Sequence, residues 1–282
     1  MINFSATSGH HGCMAARDLV FQPGDRVRTS GRFVSGPDGD WLDLQRVHDL
    51  TIKPPGWKSD LSIRLIGADA AAVPSEFGPN QVLGHITVVG RWHAPAPGEQ
   101  VWLGDESIEV ETQTPDGPPP RPRADRTHPP CPPPPGGWPQ NVVWNEGRPH
   151  SAVSDLDLDI RDLESSGAMV HRAIFRPSED QEVLVVAATD VEAVTRRLSP
   201  SLPDQLCVVR SRFTGAQLDE VGDFLLAHFQ ECRLESFGTG NSDPQGQPFA
   251  TAEPVRVTPE LAVWADTLPK GLLLLDPTIT PA

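Results

Sequence analysis

Six of the residues best suited to binding chemistry in the first hundred positions are arginines and tryptophans that recur at strand-like spacing; a seventh sits in a loop. Arg26, Arg28 and Arg32 fall at alternate or near-alternate positions in residues 25–34, DRVRTSGRFV. Successive side chains of a strand point to opposite faces, so these three share one face while Val27 and Phe33 take the other. Arg64 and Arg91 can extend the row from neighbouring strands, and Trp41 and Trp57 supply flat aromatic surfaces. Guanidinium groups beside exposed rings suit single-stranded nucleic acid, because cations track the phosphates and bases stack on the rings. The same residues also fit a plainer role, since strand tryptophans fill cores and a face of arginines meets solvent. Asp38, Asp40, Asp43 and Asp49 stand among them and weaken the positive field. Trp57 lies in the loop Lys53-Pro54-Pro55-Gly56-Trp57-Lys58 and is the aromatic best placed for a binding surface.

Other constellations fail on spacing. Asp155, Asp157 and Asp159 open like a calcium loop, but the sixth and twelfth positions hold Ile160 and Ser166 where Gly and Glu are needed. The alternation of Asp with Leu156, Leu158 and Ile160 therefore reads as an exposed edge strand or an acidic tether. Gly238-Thr239-Gly240-Asn241 lacks the Lys and Ser/Thr of a phosphate loop and opens no helix. His150, His171 and His228 stand alone in the sequence. No catalytic set, metal-ligand spacing or cofactor motif emerges.

Five strand signals position the arginine row: residues 25–34, 41–44, 61–66, 86–92 and 101–110. Gly36-Pro37-Asp38-Gly39 supplies a hairpin turn, and a short insert at residues 69–80 separates the third strand from the fourth. The opening Gly24-Asp25-Arg26-Val27, the mid-strand Gly31 and the later Val88-Val89-Gly90-Arg91-Trp92 resemble the OB-fold, in its nucleic-acid-binding type. The resemblance covers about 90 residues and implies a five-stranded barrel whose bent first strand serves both sides. An SH3-like barrel gives nearly the same string.

Twelve of the 31 prolines fall within residues 115–139. Proline lacks the N–H that a ladder needs and fixes φ, so this stretch is expected to stay out of any packed core and to split the chain. Pro119-x-x-Pro122-Arg123 fits a polyproline ligand motif, but such matches are frequent in proline-rich stretches and a semi-rigid spacer is the preferred reading. Trp138 and Trp144 can pin its end to the second domain. In that C-terminal half, strand and helix signals alternate. Asp190, Thr214 (with Gln217) and Thr258 (with Pro259) cap three helices. Leu218, Val221, Phe224, Leu225 and Phe229 form a core-facing stripe. Two β-α-β echoes, at residues 183–209 and 255–275, predict a two-layer α/β sandwich of ferredoxin-like kind.

The expected organisation is a disordered N-terminus (1–13), an OB-like β-barrel (14–112), a Pro-rich linker (113–140) and an acidic α/β domain (141–282). Net charge is −15, divided as −5 over residues 1–112, +1 over 113–150 and −11 over 151–282. An acidic C-terminal half opposes nucleic-acid binding there. The four cysteines are widely spaced, and Cys207 reads as a small buried thiol. With no apolar run long enough to span a bilayer and no signal-peptide pattern, a cytoplasmic location is expected, and Met14 is an alternative start. These features predict a non-enzymatic binding protein in which the barrel holds a ligand or partner and the acidic α/β domain engages another, unidentified protein. Single-stranded nucleic acid at the barrel is the first alternative, and an enzyme with a site between the halves the second.

Overall fold

The computed structural model describes residues 15–36, 39–44, 61–67, 83–93, 102–112, 125–140 and 150–282. Five strands form the first unit: β1 (Arg26–Gly36), β2 (Gly39–Asp43), β3 (Ser62–Ile66), β4 (Leu83–His93) and β5 (Trp102–Thr112). Their order is β1-β2-β3-β5-β4, and β4 pairs back onto β1, closing a mixed barrel. Only β3 and β5 run parallel; the other pairs are antiparallel. Alternation places Val27, Phe33, Leu42, Ile63, Leu65, Ile86, Val88 and Leu103 inside. The five expected strands are all present, each within a few residues of its expected bounds.

The remaining elements are α1 (His150–Ser165), β6 (Met169–Phe175), β7 (Val183–Ala188), α2 (Val191–Leu198), β8 (Leu206–Arg210), α3 (Gly215–Ala227), β9 (Leu234–Ser242), β10 (Pro248–Pro254), α4 (Pro259–Ala265), β11 (Leu273–Leu275) and β12 (Ile279–Pro281). All three expected caps form. Asp190 accepts from the Ala193 N–H at 2.9 Å, Thr258 accepts from Leu261, and Thr214 and Gln217 make the reciprocal capping box. The β-α-β echo is wider than the sequence suggested. Helix, strand, strand, helix, strand occurs twice, as α1-β6-β7-α2-β8 and α3-β9-β10-α4-β11. Each copy builds its own three-stranded sheet, antiparallel in its first pair and parallel in its second.

Three expectations are corrected by the structure. Residues 154–164 form most of α1, neither an edge strand nor a tether. Leu156, Ile160 and Leu163 are buried at i, i+4 and i+7, whereas Leu158 is 56% exposed. Asp-Leu alternation satisfied a period of two by coincidence, and the helical period decides because α2 and β7 offer an apolar face. Arg197 of α2 then bridges Asp159 and Asp162, one turn apart on α1. Second, residues 238–246 read in the sequence as a polar, Gly-rich loop between two strands, but Gly238–Ser242 continues β9, held to β10 by the Phe249–Asn241 and Thr251–Gly238 pairs.

The third correction concerns the prolines. Residues 113–124 lie outside the described residues, but within residues 125–140 Cys131 and Trp138 pack against a hydrophobic core. Strand β7 is buried on both faces. Leu184, Val186 and Ala188 pack under α1 and α2. Val183 and Val185, with Ala173, Phe175 and Cys207, pack under Cys131 and Trp138 of the proline segment. A chain without ladder hydrogen bonds can still lay its rings on a flat sheet. This one is fixed at both ends, since the Arg126 carbonyl accepts from the Arg176 N–H at 2.7 Å and the Trp138 carbonyl from Gln181 Nε2 at 2.7 Å. At its centre Cys131 is disulfide-bonded to Cys207, so Cys207 is buried as expected but is not a thiol. Gly246 completes the cover. Its φ is +71°, and a Cβ there would lie 2.6 Å from Val185 Cγ1. Trp138 does pin the segment, while Trp144 lies outside the described residues.

The chain finally returns to the barrel. After β11, residues 276–279 run beside β10, with Asp276, Thr278 and Ile279 N–H groups donating to Ala252, Pro254 and Val255 carbonyls. Strand β12 then pairs antiparallel with Val27–Thr29 of β1. Ile279 and Val255 enter the barrel core. Among the described residues, Val255 and Ile279 thus breach the expected separation of hydrophobic centres.

These contacts set two expectations for stability. Ile279→Ala should cost about 2–5 kcal/mol, the range for truncating a fully buried branched side chain, read by chemical denaturation. Reducing the Cys131–Cys207 bond should cost about 2–5 kcal/mol and make residues 125–140 the first site of limited proteolysis, which the oxidised chain should resist there.

Candidate binding surface

Strand β1 sets the surface. Val27, Thr29, Gly31 and Phe33 point into the barrel and are buried, so Arg26, Arg28, Ser30 and Arg32 must point out. Across the β1–β4 ladder Arg26 stands beside Arg91, Arg28 beside Val89 and Ser30 beside Thr87. Ser30 Oγ and Thr87 Oγ1 share a hydrogen bond of 2.8 Å. Arg26, Arg28 and Arg91 are exposed, and Arg91 Nη1 donates to the Gly24 carbonyl at 2.9 Å, which fixes the stem of its side chain. Three guanidinium groups therefore share one end of one outer face.

The other predicted residues separate from this group. Arg32 donates to Asp43 Oδ2 at 3.1 Å, with Asp43 only 4% exposed, so its charge answers a buried carboxylate. Arg64 is exposed on β3 beside Trp41 of β2, and its guanidinium lies over Gly39, where a Cβ would be 3.5 Å from Nε. Trp41 itself is 5% exposed, leaving little ring surface for stacking. Trp57 lies outside the described residues.

Two features went unnoticed in the sequence. The Arg256 guanidinium carbon sits 5.7 Å from the centre of the Trp92 ring at one end of the barrel. Burial, then the nearby Arg233 charge, pulls its pKa below the usual arginine value, with Glu260 opposing. Val255 and Val257 are buried on either side of it, and that strand-like alternation was a readable signal. Beneath the proline segment, His171 is held toward its neutral form by burial and by the Arg126 and Arg172 charges. Nothing in the local sequence marks that histidine. Among the described residues no three His, Cys, Asp or Glu side chains gather where they could hold a metal ion.

Compared with known proteins, the chain matches no family model, no curated protein and no solved structure.

Gly31 is the position on which the surface geometry turns. The edge of β1 passes from β12 to β2 around it, and a Cβ there would lie 2.6 Å from the Asp43 carbonyl oxygen. Gly31→Ala should cost about 1–3 kcal/mol, the range for overpacking against backbone, measured as a drop in the denaturation midpoint at unchanged slope.

Proposed function

We propose that this is a non-enzymatic binding protein whose barrel is an OB-type module that docks an acidic segment of a partner protein. The observation that carries this reading is the Arg26–Arg91 pair with Arg28 two residues on, three exposed cations on one barrel face. Strand order β1-β2-β3-β5-β4 with a parallel β3–β5 pair supports the OB-type reading. Fold type alone names no ligand, so the chemistry of the face must choose it.

That chemistry favours carboxylates over a nucleic-acid backbone. The cations span only about 7 Å of strand, room for two or three acidic side chains. With Trp41 buried, one of the two expected stacking platforms is withdrawn. The acidic C-terminal half, expected to contact a second protein, fits a bridging role. The buried disulfide favours an oxidising compartment over the cytoplasm, where such bonds seldom persist.

Titration of the full chain with a ten-residue polyglutamate peptide and with a ten-residue oligothymidylate, at low and moderate salt, tests this. The peptide should bind weakly at low salt, and Arg26→Ser with Arg28→Ser should weaken it about tenfold or more at unchanged melting temperature. A preference for the oligonucleotide would transfer the face to single-stranded nucleic acid. Peptide binding indifferent to the two substitutions would end the reading.

A further inference from the structure

We propose that the end of the barrel carries an oxyanion site formed by Arg256 and Arg233 against Trp92, separate from the outer arginine face. Trp92 is rigidly held. Its N–H donates to the Asp25 carbonyl at 2.9 Å, its carbonyl accepts from Gly24 at 2.8 Å, and Phe21 meets its ring edge-on at 5.3 Å. The residue is 3% exposed, yet its Nε1–H is buried and has no acceptor among the described residues. A buried donor left in that state costs roughly 1–3 kcal/mol.

A second donor without an acceptor stands over the same ring. Arg256 is half-buried, and among the described residues no carboxylate or carbonyl lies within hydrogen-bond distance of its guanidinium. Glu260 acts on it only at longer range. The like charge of Arg233 is also near, brought in by backbone pairing, because the Arg233 carbonyl accepts from the Val255 N–H at 3.0 Å. Arg233 is the left-handed residue that closes the turn after α3, its N–H donating to the Gln230 carbonyl at 3.1 Å and the following Leu234 N–H to the Phe229 carbonyl at 3.0 Å, which fixes where its side chain leaves the backbone. Two neighbouring cations, one of them half-buried over a ring whose indole donor lacks an acceptor among the described residues, make an arrangement that an anion relieves. The guanidinium fork matches phosphate and carboxylate geometry. The ligand class is a small molecule bearing such a group, entering at the mouth of the barrel, a common position for small-molecule sites.

The test uses the full chain with inorganic phosphate, acetate and chloride at equal ionic strength. Proton–nitrogen spectra follow the Trp92 indole N–H, assigned with Trp92→Phe. Phosphate should shift that resonance saturably and raise the melting temperature, while chloride should do neither. Arg256→Gln should weaken phosphate about tenfold or more, a loss of roughly 1.4 kcal/mol, and the exposed Arg233→Gln should weaken it by a smaller factor without altering the unliganded melting temperature. If Arg256→Gln is poorly folded, Arg256→Lys keeps the charge, loses the fork and should also weaken binding. Acetate matching phosphate would make the ligand a carboxylate; phosphate alone would make it a phosphate ester. A Trp92 resonance that answers chloride and phosphate alike, or phosphate affinity unchanged in Arg233→Gln and Arg256→Lys, would overturn the site.

Discussion

Strand β1 has two edges, and every backbone group along both needs a partner. Strand β4 serves one edge from Arg26 to Val34. Strand β2 serves the other only from Arg32 onward. The stretch Val27–Thr29 would otherwise present open N–H and C=O groups over an apolar interior, a standing invitation to aggregate. Three residues of β12 fill that gap, and Ile279 plugs the core beneath them. Thr29 reinforces the joint by donating its hydroxyl to the Thr278 carbonyl at 3.1 Å, while Thr278 donates its own to Glu235 of β9. One short segment therefore satisfies the barrel and ties it to the sheet of β9, β10 and β11.

The proline segment solves a different problem by related means. A three-stranded sheet has two faces, and α1 with α2 covers only one of them. A third layer of helix or strand would need its own hydrogen-bond partners, whereas an extended proline chain needs almost none. One tryptophan and one sulfur bridge cover Phe175, Val183 and Val185 with few backbone demands. The very property that excludes proline from ladders suits it to serve as a lid on a finished sheet.

Legibility in the sequence tracked the range of the interactions. Thr214 with Gln217, Asp190 and Thr258 were readable because caps are settled within four residues. The five barrel strands were readable because alternation and turn residues are local too. The run around Asp155 misled because Asp-Leu alternation fits a strand, while its partners, Val194 and Leu198, lie about 35 residues away. The sulfur pairing joins residues 76 apart and leaves no local trace. The arginine row was legible as a face, but whether Trp41 lay open or covered was not, because that depends on what packs over it. Ile279 lacked any signal of its own: Thr278-Ile279-Thr280 reads as strand, and nothing nearby names its partner.

Synthesis on the ribosome runs from one end, and that gives the β1–β12 pairing a temporal meaning. Thr29 and Thr278 are 249 positions apart. At about 5–20 residues per second, the first waits roughly 10–50 s for the second to emerge. Throughout that interval the nascent barrel carries an unsatisfied margin, which closes only once β12 has emerged. Such a delay gives holding chaperones a defined window and a defined edge on this chain.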